Sequence, residues 1–242
     1  MSDTTRSPRG PSEGIQRHLA YEAFTRRLIE RELAPGQFVT QKELATITGF
    51  GLNAIREMIP RLEAEGLLHA IPQRGLQVAR LDAALVRDAF GLRELIEQAA
   101  LRHFVVAAPS SLIEEQAAAL DAVRQAAERR IDAALLAHAQ RVDWGFHDVV
   151  VDFLDNSLIS EIHRVNAIRM RMMMPERVTL SEATLPPAIA EHVVIVSALQ
   201  RRDAAAAAAG LAAHLASARR RALGIEPEPP TAVAATLQGR KS

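Results

Sequence analysis

Two side chains that can bind a metal ion lie four residues apart in the segment Arg141–Val150, which reads RVDWGFHDVV. A helix points Asp143 and His147 in the same direction, because residues four apart are neighbours on one face. Apolar residues flank the pair at the three- and four-residue spacing of a buried face. A buried carboxylate is costly unless it is paired. The pair therefore predicts either a buried ion pair or one part of a metal site.

Two further histidines lie on apolar helix faces later in the chain. His192 is in line with Ile189 and Val196, and His214 is in line with Leu211. Each one alone is more typical of a core histidine than of a ligand, but facing side chains in a helical bundle can form a metal site. One carboxylate and three imidazoles suit Zn²⁺, Ni²⁺ or Mn²⁺, and the lack of thiolate argues against a closed structural zinc site. Four other histidines lack this alignment and are interpreted as surface or incidental residues: His18, His69, His103 and His163. No role is assigned to His138.

The elements that must position these residues are helices alone. Prolines and an Asp-Asn pair break the apolar pattern after Asp82 into candidate helices over 82–107, 110–128, 131–155, 157–174, 187–201 and 203–223. Such helices can bury their stripes only against one another, so an antiparallel bundle is predicted for residues 81–224. Residues 225–242 carry three prolines and no helical stripe, which predicts a disordered tail.

The first part of the chain carries a different pattern, typical of a winged helix-turn-helix over residues 14–80. Residues 41–64 are interpreted as two helices around a turn at Gly49, which allows a positive φ. Two apolar runs follow, Leu67–Ile71 and Leu76–Ala79, and the residues between them predict a β-hairpin. A hairpin directly after a helix-turn-helix is a wing.

Several side chains of this unit are suited to DNA. The second helix of a helix-turn-helix lies in the major groove, where Asn53 can pair with adenine and Arg56 can reach guanine or phosphate. Gln41 and Lys42 on the preceding helix are expected to face the backbone, and Arg74 at the wing tip can enter the minor groove. Each charge alone is more typical of a solvated surface. Their combination on a winged unit favours DNA binding.

Composition limits the classes of protein that fit. The chain has 242 residues, 48% hydrophobic and 24% charged, with a net charge of zero, which predicts two globular domains. It has no cysteine, so disulfides are excluded and a reducing, cytoplasmic location is expected. No apolar run is long enough to span a membrane. Residues 1–13 are polar and rich in Pro and Ser, which predicts a flexible tail and no signal peptide.

The segment from Leu33 to Ala79 resembles the winged helix-turn-helix of the GntR family of bacterial transcription regulators. The matching motifs are Glu43-Leu44-Ala45, Ile55-Arg56-Glu57, Arg61–Leu67 and the wing end Arg74-Gly75. The family usually carries Ser-Arg-Thr-Pro where this chain has Gly51-Leu52-Asn53-Ala54, so Leu52 stands at the position of its recognition arginine. An unusual operator or weaker binding is implied. The resemblance carries DNA contact over to Lys42, Arg56, Arg74 and Gly75, with Asn53 as a substitute.

The helical half is similar to the FCD ligand-binding domain of many such regulators. Its Asp-x-x-Phe-His motif is present at residues 143–147, a Glu-His pair ends at His192, and His214 follows 22 residues later. The resemblance implies a metal ion held by these four ligands, with open positions that take the carboxylate of a small organic acid. Arg93 matches an arginine that faces the effector in that family, although it can also pair with Glu97 one turn on.

The predicted protein is a mainly α, homodimeric transcription regulator that binds a palindromic operator in double-stranded DNA. Its bundle is expected to hold a divalent metal and a small carboxylate effector. A metal-dependent hydrolase also fits the ligand pattern, but it is disfavoured because no carboxylate or lysine is predicted beside the ligands as a general base. A regulator in which the metal is itself the signal, or serves only as a structural pin, fits the same residues.

Overall fold

The structure, a computed structural model, describes residues 13–80, 83–173 and 179–225. The chain divides into two compact units: Met1–Asp82 with Arg164–Pro175, and Ala83–His163 with Glu176–Ser242. The tails predicted at 1–13 and 225–242 lie outside the described residues, apart from Glu13 and Ile225.

The N-terminal unit has the predicted winged helix-turn-helix. Its helices are α1 (Glu13–Ile29), α2 (Gln41–Thr48) and α3 (Leu52–Ala64), and its strands are β1 (Phe38–Val39), β2 (Leu68–Ile71) and β3 (Gly75–Val78). The strands form one antiparallel sheet in the order β1-β3-β2. The predicted hairpin is therefore confirmed, and β1 adds a third strand to it.

Local sequence signals fix the ends of α2. Thr40 and Glu43 form a reciprocal capping box, in which each side chain accepts a hydrogen bond from the backbone N–H of the other residue. Gly49 ends the helix in the left-handed region at φ 77°, and its N–H donates to the carbonyl of Ala45. The orientation of α2 relative to α3 therefore follows from residues that the sequence displays directly.

The second unit consists of helices. These are α4 (Ala83–Ala107), α5 (Ser110–Arg129), α6 (Ala133–Asp152), the start of α7 (Ser157–Met173), α8 (Leu185–Gln200) and α9 (Ala204–Leu223). The prediction that Pro186 and Pro187 break the pattern before a helix is wrong in detail. The helix already begins at Leu185 and includes both prolines in its first turn, where the missing N–H costs no hydrogen bond.

The core of this unit is aliphatic and closely packed, with α8 in contact with both α5 and α9. At Gly210 in α9, an added Cβ would lie only 3.2 Å from Cγ1 of Ile195 in α8. These two helices therefore approach each other at a position without a side chain. Among the described residues, no helix has the length and apolar character that crossing a membrane requires.

Candidate metal centre

The structure brings the four predicted ligands together. Asp143 and His147 lie on α6, His192 on α8 and His214 on α9. One potential ligand atom from each side chain lies within 4.8 Å of the others. The three histidines are buried, whereas the carboxylate is partly exposed. The four-residue spacing on α6 thus has the consequence expected from the sequence.

Two carboxylates orient two of these imidazoles through contacts with the Nδ1 atoms. Oε2 of Glu97 lies 2.7 Å from Nδ1 of His147, and Oε2 of Glu191 lies 2.9 Å from Nδ1 of His214. Burial acts to raise the pKa of both carboxyl groups. The charge of Arg93 and the contact with His147 outweigh burial at Glu97 and hold its pKa well below the usual range. The hydrogen bond with His214 outweighs burial at Glu191 and holds its pKa below the usual range. An ionised carboxylate only accepts hydrogen bonds, so each Nδ1 carries the proton.

The third imidazole is oriented by the backbone. Nδ1 of His192 lies 3.0 Å from the carbonyl oxygen of Ala188, which also can only accept. Because burial lowers the pKa of His147 and of His192, these two rings are neutral and present an unprotonated Nε2 to the site. Nε2 of His192 lies 3.4 Å from Nε2 of His147 and 3.6 Å from Oδ1 of Asp143. These groups have no proton to share and repel one another unless a cation lies between them.

The donor set fits a divalent metal ion. Two ligand atoms bound at about 2.0–2.1 Å to one ion lie roughly 3.0–3.4 Å apart, depending on the coordination angle. Burial lowers the pKa of His147 to about 3 and also lowers that of His192, so both rings are neutral near pH 7. Burial opposes the ionisation of Asp143, yet the neighbouring histidines hold the pKa of this carboxyl group below its ordinary value. The set thus offers two neutral imidazoles, those of His147 and His192, and the Asp143 carboxylate, with the imidazole of His214 beside them.

Glu97 is the centre of a buried polar network behind the ligands. Besides its contact with His147, it accepts a hydrogen bond from Nε of Arg93, and its Oε1 lies 3.2 Å from Nε2 of His163. The prediction that His163 is a surface or incidental residue is wrong, because this residue is only 3% exposed. Its Nδ1 lies 3.4 Å from Oδ1 of Asp148. The sequence did not indicate the carboxylates of Glu97 and Glu191, which contact the outer nitrogens of two of the rings.

Of the two roles predicted for Arg93, the structure shows the pair with Glu97. The guanidinium of Arg93 lies 5.0 Å from the ring centroid of Trp144. Its Nη2 is buried and has no hydrogen-bond partner among the described residues. Arg93 also lines a small cavity of about 30 Å³. We call this the arginine cavity, and its lining comprises Phe90, Arg93, Asp143, Trp144, Thr179, Leu180, Thr184, His214, Ala218 and Arg221.

The residues predicted to contact DNA lie on the N-terminal unit. Lys42, Asn53, Arg56, Arg74 and Gly75 are exposed, and Gln41 is partly exposed. Nε of Arg56 donates to Oε1 of Gln41 over 3.1 Å, which joins α3 to α2.

The wing arginine is held by an aromatic ring. The guanidinium carbon of Arg74 lies 4.6 Å from the ring centroid of Phe38 in β1. Gly75 has φ 91°, and an added Cβ would lie 3.1 Å from the carbonyl oxygen of Val39. This glycine therefore has a backbone role in closing the hairpin, whatever it contacts outside the protein.

Comparison with known families decides the class of the protein. The profile described as "FCD domain" matches residues 88–217, more than half of the chain, and the profile described as "Bacterial regulatory proteins, gntR family" matches residues 17–78. The chain belongs to the GntR family and carries an FCD domain. Like its relatives, it is a transcriptional regulator. It is not a hydrolase. The resemblance stated from the sequence is confirmed.

Curated relatives of this GntR regulator share modest identity. The HTH-type transcriptional repressor RspR of Escherichia coli K12 is 27% identical over 215 residues, which cover 88% of this chain and 90% of the relative. An uncharacterized HTH-type transcriptional regulator of Streptomyces ambofaciens is 37% identical over 81 residues, 34% of each chain.

Solved structures support the fold of the regulator. Escherichia coli McbR/YncC has a TM-score of 0.72 at 18% identity, covering 86% of this chain and 97% of its own. A GntR regulator from Rhodococcus sp. RHA1 has a TM-score of 0.68 at 19% identity, covering 88% of this chain and 100% of its own. The mainly α fold class, with a winged domain and a helical bundle, is confirmed.

Proposed function

We propose that this regulator holds a divalent metal ion through Asp143, His147, His192 and His214, with Zn²⁺, Ni²⁺ and Mn²⁺ as the candidates. The observation that carries the proposal is the orientation of the three imidazoles. Each Nδ1 faces an acceptor oxygen, and one potential ligand atom from each of the three imidazoles and the carboxylate lies within 4.8 Å of the others. Such a cluster is stable when a cation neutralises it.

The same site binds a small organic acid as effector. A bound metal supplies positive charge and open coordination positions for a carboxylate. Arg93 supports this role because its Nη2 is buried without a protein partner and the side chain lines the arginine cavity beside Asp143 and His214. A buried guanidinium nitrogen that lacks an acceptor is costly, and an anionic ligand removes that cost.

The N-terminal unit binds operator DNA, and the protein acts as a homodimer on a palindromic site. Asn53 and Arg56 read bases or phosphates from α3, Gln41 and Lys42 contact the backbone, and Arg74 enters the minor groove. Two-fold symmetry sets the half-sites about one helical turn apart. The effector changes operator affinity only if it binds the DNA-competent and DNA-incompetent states with different affinities.

Elemental analysis and native mass spectrometry of the purified full chain test the metal and the effector together. We expect about one divalent ion per chain, together with any trapped acid, and loss of the ion in His147→Ala and in His192→Ala. His138→Ala is the matched control, since this exposed histidine lies on α6 outside the cluster. A wild-type protein that lacks metal and still binds acid and DNA normally contradicts the proposal. If DNA affinity follows metal concentration with no acid present, the signal is the metal ion itself and not an organic acid.

A further inference from the structure

The carboxyl end of α3 is held by a side chain that lies far along the chain. Glu65 is the C-cap residue of α3, and Nε of Arg169 lies 2.8 Å from its carbonyl oxygen. Nη2 of Arg169 donates to the same oxygen. Arg169 lies on α7, 104 residues after Glu65, and the residues of α7 from Arg164 onward belong to the N-terminal unit. This unit therefore includes a helical segment that the first eighty residues do not supply.

A guanidinium is well suited to this position. The carbonyl groups at the carboxyl end of a helix have no partner within the helix and carry partial negative charge. Arginine presents several N–H donors in one plane, so two donors that converge on one oxygen define its orientation. Hydrogen bonds from a charged donor are roughly twice as strong as neutral ones. The contact therefore restricts the end of α3 more than an exposed ion pair would.

The backbone after Glu65 leaves room for this guanidinium. Gly66 has φ 64°, in the left-handed region, and a Cβ added there would lie 3.4 Å from Nη2 of Arg169. The N–H of Leu67 donates back to the carbonyl oxygen of Leu62 over 2.8 Å. Because β2 begins two residues after Gly66, the turn from α3 into the wing is made beside Arg169.

The side chain of Glu65 connects two helices at the same point. Its Oε2 accepts a hydrogen bond from the hydroxyl of Tyr21 in α1 over 2.6 Å, and its Oε1 accepts one from Nε of Arg61 in α3 over 2.8 Å. The guanidinium carbon of Arg61 lies 4.0 Å from the ring centroid of Tyr21. Contacts from α1, α3 and α7 thus meet at one residue, directly before the turn into the wing.

The residues proposed to read DNA lie toward the opposite end of α3. Asn53 precedes Glu65 by twelve residues, which is about 18 Å along a helix axis. A small rotation of α3 about its carboxyl end therefore displaces Asn53 more than any residue near Glu65.

We propose that Arg169 is a positioning residue for DNA binding. Its guanidinium fixes α3 in the orientation in which Asn53 and Arg56 meet the major groove, and it does not itself contact DNA. This inference depends on the proposed function, because it assigns a role in the DNA binding that is proposed for the N-terminal unit.

Fluorescence anisotropy with the full chain tests the assignment. The specific probe is a duplex that the wild-type protein enriches from a random pool, and the non-specific probe is a scrambled duplex of the same composition. Arg169→Ala should weaken the specific complex about ten-fold, as expected when one charge-assisted hydrogen bond is lost and fewer molecules hold α3 in the competent orientation. Affinity for the scrambled duplex and the salt slope of the specific complex should not change, since no phosphate contact is removed.

Two further variants and a second readout separate positioning from charge and from folding. Arg164→Ala removes the same charge from an exposed position on α7 and should change neither affinity. Arg169→Lys retains the charge without the planar set of donors and should recover part of the lost specific affinity. In hydrogen exchange without DNA, the amides of Gly66 and Leu67 should exchange faster in Arg169→Ala, whereas the amide of Leu44 in α2 should keep its rate.

Four outcomes overturn the inference. Unchanged specific affinity in Arg169→Ala, with only a lower melting temperature, makes the contact a packing feature. Equal weakening of the specific and the scrambled complex indicates a general loss of the folded unit, and a salt slope lower by about one makes Arg169 a direct phosphate contact. Failure of the wild type to enrich any duplex removes the proposed DNA binding itself, whereas the first three outcomes retain it and remove only the positioning role.

Discussion

Oε2 of Glu97 on α4 lies 2.7 Å from Nδ1 of His147 on α6, and both side chains are 1% exposed. The contact connects the first helix of the bundle to a proposed metal ligand that lies 50 residues later. Because Arg93 and His163 contact the same carboxylate, one ionised group fixes three buried side chains. Carboxylates in this position orient an imidazole and raise its basicity toward a metal.

Replacing Glu97 by Gln is expected to weaken metal affinity by about 10- to 100-fold, since the amide cannot match the charge of the carboxylate behind His147. Competition with a chromogenic chelator measures the affinity. Glu94→Gln on the same helix, whose side chain is exposed, should leave the affinity unchanged. If Glu97→Gln lowers only the melting temperature and the affinity stays the same, the carboxylate has a packing role and does not orient the ligand.

His163 should give the protein a pH-dependent contribution to stability. Burial lowers the pKa of His163, but hydrogen bonds with Asp148 and Glu97 outweigh it and raise this pKa above its ordinary value. A raised folded-state pKa means that the contribution is fully present below the unfolded value of about 6.5 and is lost as pH rises through the folded value.

Urea unfolding at several pH values on either side of neutrality measures this effect. The wild type should lose free energy of unfolding as the pH rises above about 6.5, and His163→Gln should lose less over the same interval. His103→Gln removes an exposed histidine and should retain the wild-type slope. Parallel slopes in the wild type and His163→Gln would show that His163 does not titrate in this range.

Arg56 is expected to contribute directly to operator binding. Arg56→Ala should weaken binding by about 1–3 kcal/mol if the guanidinium contacts a base, or lower the salt slope by about one if it contacts a phosphate. Fluorescence anisotropy over a series of salt concentrations separates the two. Arg124→Ala is the control, because it removes the same charge from an exposed position on α5, where Arg124 pairs with Asp121. It should change neither the operator affinity nor the salt slope.

Leu52 offers a gain-of-function test, because it is the first residue of α3 and is only partly buried. Leu52→Arg restores the charge that the GntR family usually carries there. We expect tighter DNA binding and a steeper salt dependence, by about one unit of slope if the arginine reaches a phosphate. Leu52→Gln, of similar polarity without charge, should not steepen the slope. Unchanged affinity in Leu52→Arg would place this position away from the duplex.

Local and periodic features were predictable from the sequence. The Thr40–Glu43 capping box and the turn at Gly49 define α2, and four-residue spacing places Asp143 and His147 on one face. These features depend on residues close together in the chain, so the periodicity of a helix is enough to find them.

Contacts between distant helices were not predictable in the same way. Glu97 contacts His147 and His163 only once α4, α6 and α7 have packed. In the sequence, Glu97 is visible only as the partner of Arg93 in an ordinary i,i+4 pair. A signal for His163 was nevertheless present, since Asn166 and Met170 continue its face of α7 at three- and seven-residue spacing, and all three are buried. The cavity at Leu180 depends on packing volumes, which no pattern in the sequence specifies.

Gly210 has a bearing on which ion the proposed metal site would select. It lies four residues before His214, and Ile195, the side chain nearest to a Cβ added at this glycine, lies three residues after His192. The distance between these two donors is therefore a property of main-chain proximity. An alanine at position 210 would separate α8 from α9 and so change the distance between the imidazoles of His192 and His214, although all four donor side chains are retained. Selection among the cations proposed for this site would thus depend in part on a residue that contacts none of them.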